Sequence, residues 1–152
     1  MAIYTVGVQT AGVNTATLSY FALQAGATRL LRVSRITLAM PTAVATLPQF
    51  QLRRVTTAGV TPGVTTTPQA LLPTDAATAA ALHSGGFATA PVVAAVALDV
   101  AGIPLTAGAG WVWNFPTPLT ITNGTANGVA IYNVVASGAT LGLFSASFLY
   151  DE

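Results

Sequence analysis

Residues 110–152 constrain the fold more than any other stretch of the chain. They read GWVWNFPTPLTITNGTANGVAIYNVVASGATLGLFSASFLYDE, a series of apolar, β-favouring runs cut by Asn-Gly, Pro and Ser-Gly. No charged residue occurs at positions 100–150. Short runs of β-branched and aromatic residues bounded by turn signals predict strands rather than helices. In the last strand we expect three aromatic side chains on one face, Phe144, Phe148 and Tyr150.

The same pattern extends through the whole chain. We predict strands at residues 4–9, 15–24, 29–40, 50–57, 92–100, 111–115, 119–121, 129–135 and 141–150. The second and third show shifts of alternation, and the third is expected to bend near Ser34-Arg35. Gly124 and Gly128, each after an asparagine, suit positions with positive φ. About eight or nine strands separated by turns predict a single all-β domain, an antiparallel β-sandwich or barrel.

Two segments depart from this pattern. Residues 58–73 contain Pro62, Pro68 and Pro73, and proline cannot donate to a β-ladder. We therefore expect an extended Pro-rich loop lying on the body or on a neighbouring subunit. Residues 74–83 are the one helix candidate, of about two turns, because Thr74 can cap an alanine-rich run that Gly85 ends.

Charge is unusually scarce. Charged residues make up 6% of the 152 residues and the formal net charge is +1, whereas an ordinary globular chain is about 25% charged. No long-range field would attract nucleic acid, and every apolar run is too short for a membrane-spanning helix. Such a chain is either a monomer solubilised by its Thr, Ser, Asn and Gln residues or a subunit covered by its neighbours.

The residues that ordinarily carry catalysis are few and scattered. The single histidine, His83, is next to Ser84, and the internal carboxylates are Asp75 and Asp99. Adjacency in sequence does not make a nucleophile–base pair, and these residues lack the spacing of a metal site. The chain has no cysteine, which excludes disulfides and thiolate ligands. We predict a protein that is not an enzyme and that uses no cofactor or metal.

Two groups of side chains remain as candidate contact sites. Trp111 and Trp113 could form a platform for a sugar or a partner, although their face of the strand is better explained as core. The arginines would form a basic patch if the segments that carry them pair. They could also be a solvated face, a subunit contact that pairs with the acidic C-terminus, or a weak nucleic-acid surface. The candidate subunit-interface residues are Arg29, Arg32, Arg35, Arg53, Arg54, Asp151 and Glu152.

Both ends of the chain resemble a group of small phage-type structural proteins. The opening MAIYTVGVQTAGVNTATLSYFALQAGATRLLRVSRITL and the closing GAGWVWNFPTPLTITNGTANGVAIYN…SFLYDE carry the resemblance. The shared features are an Arg-bearing second block, a Gly-Trp-x-Trp strand before a Pro-containing turn, and an acidic final dipeptide. The resemblance implies a jelly-roll-like sandwich that decorates or cements a viral capsid, often as a trimer bound to the major capsid protein. It supplies no enzymatic residue.

These observations predict a structural virion protein, a decoration, cement or minor capsid subunit that acts by burying surface between subunits. The alternative is a carbohydrate- or receptor-binding β-sandwich that uses the Trp111 and Trp113 region. A small hydrolase built on His83 ranks last.

Overall fold

The computed structural model describes residues 1–10, 19–42, 48–59, 64–85, 87–134 and 143–152. Within these ranges the chain forms twelve strands and no helix. The strands are β1 (Ile3–Thr10), β2 (Ser19–Gln24), β3 (Leu31–Met40), β4 (Gln49–Thr57), β5 (Val64–Thr66), β6 (Gln69–Ala70), β7 (Ala81–Ser84), β8 (Val92–Val93), β9 (Asp99–Gly102), β10 (Ala109–Ile121), β11 (Gly128–Asn133) and β12 (Phe144–Asp151).

The strands form two antiparallel sheets. Sheet A has the order β10-β3-β12-β1-β6. Sheet B has the order β5-β7-β2-β11-β4, and β8 and β9 pair with successive halves of the far side of β4. The predicted all-β, antiparallel sandwich is confirmed, whereas the jelly-roll topology stays a prediction.

The core lies between the two sheets and follows from period-two alternation. In β12 every second residue is buried, and Phe144, Phe148 and Tyr150 point inward as expected. The Phe144 ring meets Phe50 of sheet B edge to face, with 5.0 Å between ring centroids. One continuous apolar cluster therefore joins both inner faces.

The bend predicted in β3 is present. Leu149 of β12 faces Arg35 whereas Tyr150 faces Val33, so Ser34 is the extra residue of a bulge. The ladder between β3 and β10 shifts at the same place. On β10 the shift spans residues 115–118, which include Pro116 and Pro118, so the two strands predicted here are halves of one interrupted strand.

The helix predicted at residues 74–83 is wrong. Residues 81–84 form β7, which lies between β2 and β5, and the preceding residues form turns. The Tyr4 hydroxyl donates to the carbonyl of Ala76, and the Thr78 hydroxyl accepts from the backbone amide of Ala80. Sheet pairing with distant strands outweighs the helix propensity of the alanines.

The Pro-rich segment 58–73 lies along the body where the structure describes it. Its two short strands sit at the edges of different sheets, β5 beside β7 and β6 beside β1. Edge positions suit a segment rich in proline. Pro62 lies outside the described residues. So do residues 11–14 (AGVN) and 136–139 (ASGA), whose sequences predict turns.

The strand predicted at residues 92–100 is broken in two. β8 and β9 are joined by a bend, across which the amides of Ala94 and Leu98 still donate to carbonyls of β4. The alternation in this segment predicts that Val96, Leu98 and Val100 share a face opposite to the outward-facing Asp99, but all three are exposed, and the buried residues are Ala101 and Ile103.

The two Asn-Gly sites differ. Gly124 has φ of 122°, as predicted, but Gly128 is not among the glycines with positive φ. Gly128 is required for another reason: a Cβ there would lie 2.4 Å from the carbonyl oxygen of Leu23 on the neighbouring strand.

Candidate interaction surfaces

The acidic C-terminus pairs with arginines of the same chain. Arg32 Nε lies 2.7 Å from Asp151 Oδ1, because Asp151 of β12 is the cross-strand neighbour of Arg32 on β3. Arg29 lies 3.4 Å from Glu152, whose side chain is 1% exposed. These pairs form within one chain rather than across a subunit boundary, and a subunit contact at these residues stays a prediction.

Glu152 also belongs to a polar network at this end of sheet A. The Thr78 hydroxyl donates to Glu152 and lies 3.1 Å from the Tyr150 hydroxyl. The Tyr150 ring stacks on Tyr4 at 5.5 Å. Burial raises the pKa of Tyr150, so its phenol stays protonated and is not activated as a nucleophile. The network holds the C-terminus and residues 76–80 against β1.

The predicted basic patch does not form by strand pairing, because β3 belongs to sheet A and β4 to sheet B. On β4, Arg53 donates to Gln51 and to the carbonyl of Ala94, and its guanidinium lies 4.9 Å from the centre of the Tyr132 ring. Arg53 therefore links β4 to Ala94 and to Tyr132 of β11 on the outer face of sheet B.

Arg54 reaches the other sheet. It donates to the carbonyl of Thr120 on β10 at 2.8 Å. This bond shows that β4 and β10 lie on the same side of the sandwich. Arg35 is exposed and differs from the other arginines, because it forms neither an ion pair nor a side-chain hydrogen bond with any described residue.

The two tryptophans have different environments. Trp113 is 3% exposed and belongs to the core, so it presents no face to a ligand. Trp111 is 39% exposed, near the start of β10. The structure confirms the core interpretation for Trp113 and leaves Trp111 as the accessible member of the pair.

One side of the sandwich, which we call the flank, is rich in exposed apolar side chains. It consists of the β8–β9 edge (92–102), the turn 103–108 and the first half of β10 (109–114). Of the fourteen exposed large apolar residues in the described part of the chain, seven lie here: Val92, Val96, Leu98, Val100, Leu105, Trp111 and Val112. Asp99 is the one charged residue of the flank. The charge-free sequence after residue 99 was the signal for this surface, but the alternation of apolar residues predicted Val96, Leu98 and Val100 on a face opposite to Asp99, with Asp99 facing out.

The geometry keeps His83 apart from two of its candidate catalytic partners, Ser84 and Asp99. His83 and Ser84 are consecutive on β7 and point to opposite faces. Asp99 is four strand positions away in sheet B, about 19 Å at ~4.8 Å per strand. His83 Nδ1 lies 3.0 Å from the Thr65 hydroxyl, and its ring meets Phe87 edge-on. Burial lowers the pKa of His83.

Neither a metal cluster nor a membrane-spanning helix is found in the described residues. They hold no group of three potential metal-ligating side chains, and no helix that is long and apolar enough to cross a bilayer. Comparison of the chain with protein-family models, with characterised proteins and with solved structures gives no match. The function is therefore argued from the surfaces themselves.

Proposed function

We propose that the protein is a non-enzymatic structural subunit of a virion, a decoration, cement or minor capsid protein that stabilises a viral shell. It acts by burying surface against copies of itself and against the major capsid protein. The observation that carries this proposal is the flank, where half of the exposed large apolar residues of the described chain lie together. Exposed apolar surface of this kind is typical of a contact with another macromolecule.

The distribution of charge supports the same role. Two of the four carboxylates, Asp151 and Glu152, are already paired with arginines of the same chain. Few ionic groups are left to keep the surface hydrated, whereas isolated soluble domains carry roughly 25–35% charged residues on their surface. A subunit whose surface is covered by neighbouring subunits does not need such charged groups.

The virion assignment comes from the resemblance of both chain ends to phage-type structural proteins. A cementing role requires a rigid body, neutral faces that match neighbouring subunits, and no catalytic group. His83 contacts the Thr65 hydroxyl and the Phe87 ring and forms no ion pair with a described carboxylate, which fits that requirement.

A carbohydrate-binding role is less well supported. Sugar platforms use exposed aromatic faces, and of the two candidate tryptophans only Trp111 is accessible. Binding to a glycan array that is lost in Trp111→Ala, with the fold intact, would favour this alternative over the structural role.

Sedimentation with shells tests the proposal. Shells of the encoding virus, prepared without this protein, are mixed with purified protein and pelleted. We expect saturable co-sedimentation at a fixed ratio to the major capsid protein. Protein that stays in the supernatant at every concentration would refute the structural role.

A further inference from the structure

We propose that the flank is a self-association surface, in which the first half of β10 in one copy lies along β9 of the next copy. This inference rests on the proposed structural role and names the partner as a second copy of this chain. Among the described residues no further strand pairs with β10 or β9 on this side, and the partner would complete both sheets.

The first argument concerns sheet edges. A long unpaired edge invites another strand, and proteins normally block it with proline, charge or a very short strand. The opposite side of the sandwich follows this rule, because its edge strands β5 and β6 have three and two residues. On the flank, β8 has two residues and β9 has four with one charge, whereas residues 109–114 of β10 form a six-residue edge with neither proline nor charge.

The second argument concerns direction. β9 leads through the six residues 103–108 into β10, so the two edges run in opposite directions along the flank. In an oligomer whose rotation axis is parallel to the strands, each strand of a neighbouring copy runs in the same direction as in the first copy. β10 of one copy and β9 of the next are then antiparallel, the geometry of a regular ladder.

The third argument identifies the occupant. The flank offers two edges side by side, one from each sheet, about 10 Å apart as in any sandwich. A second copy carries the same two edges at the same spacing. In a two-fold dimer, β10 of each copy therefore lies beside β9 of the other copy. In a three-fold ring, β10 of each copy lies beside β9 of the next copy. Both arrangements are closed, which limits growth into fibres.

The exposed apolar area of the flank sets an upper limit on the apolar surface that this contact can bury, and that limit is at the low end of the range for stable interfaces. Scaled by ordinary side-chain areas, the seven exposed apolar residues of the flank amount to roughly 600 Å², close to the ~800 Å² that each partner of a stable interface contributes. The near-neutral chain, with a net charge of +1, adds little repulsion between copies.

Cysteine cross-linking tests the contact directly, because the chain has no cysteine of its own. Val112 of β10 and Val100 of β9 are 48% and 54% exposed and lie on the outer faces of their sheets. Purified Val112→Cys and a larger tagged Val100→Cys are mixed and mildly oxidised. Val64→Cys, 51% exposed on β5 of the opposite side, is the matched control.

We expect the Val112→Cys/Val100→Cys disulfide to form about tenfold faster than any pair that includes Val64→Cys, because assembly raises the effective concentration of the two thiols. Equal rates for all pairs, or cross-linking through Val64→Cys alone, would overturn the inference. Circular dichroism of each variant verifies that the fold is intact. If the protein binds shells but does not form this cross-link, the contact is refuted and the structural role still stands. If the cross-link forms but the protein does not bind shells, the structural role is refuted and the contact still stands.

Discussion

Replacement of Gly128 by alanine tests the packing of the central strands of sheet B. A Cβ at this position would lie 2.4 Å from the Leu23 carbonyl oxygen, where ordinary contacts begin at 3.4 Å, so the backbone must move by about 1 Å. β11 is held between β2 and β4 and cannot shift without disturbing both ladders. Overpacking of this kind costs about 1–3 kcal/mol.

For a chain of this length, a loss of about 2 kcal/mol lowers Tm by about 4–8 °C. The matched control is Gly102→Ala, a strand glycine whose Cβ would meet nothing within 4 Å. Alanine has fewer conformations than glycine in the unfolded chain, so Gly102→Ala should leave the free energy of unfolding unchanged or raise it by up to about 1 kcal/mol. Thermal and urea unfolding measure both variants, and equal destabilisation of the two would refute the close approach of β11 to β2.

Three further predictions concern single side chains. Glu152→Gln should lower the free energy of unfolding by about 1 kcal/mol, because Arg29 and Thr78 lose a charged partner. The control Arg35→Gln should change it little. Equal urea midpoints for the two variants would contradict this prediction. Burial lowers the pKa of His83 below its unfolded value, so the unfolded chain binds more protons and stability should fall as the pH drops below ~6.5. His83→Gln should flatten that slope in urea midpoints measured between pH 7.5 and pH 5.5, and an unchanged slope would assign it to other groups. Acrylamide should quench the fluorescence of Trp113→Phe, which retains Trp111, more strongly than that of Trp111→Phe, and the reverse order would contradict the burial of Trp113.

Local alternation carried much of the fold. The inward face of β12 could be predicted because Phe144, Phe148 and Tyr150 share one parity with Ala146, whereas two serines lie on the other parity. The bulge in β3 was visible because its apolar residues change parity around Ser34. In both strands a single-sequence pattern coincides with the tertiary environment.

The errors arose where a distant partner decides the structure. Residues 81–84 form a strand because β2, some sixty residues earlier, offers them an edge, and alanine-rich composition does not report that edge. Pairing with β4 decides which of residues 92–102 face the core. The assignment of β3 and β4 to different sheets, which separates the arginines, likewise depends on topology.

The mass of the protein in solution tests the central claim, association through the flank, most directly. Sedimentation equilibrium over a wide concentration range should show a closed oligomer of the 15.3 kDa chain. Val100→Lys on the flank should shift it towards monomer, and Val64→Lys on the opposite side should not. A wild-type protein that stays monomeric at every concentration would contradict the claim.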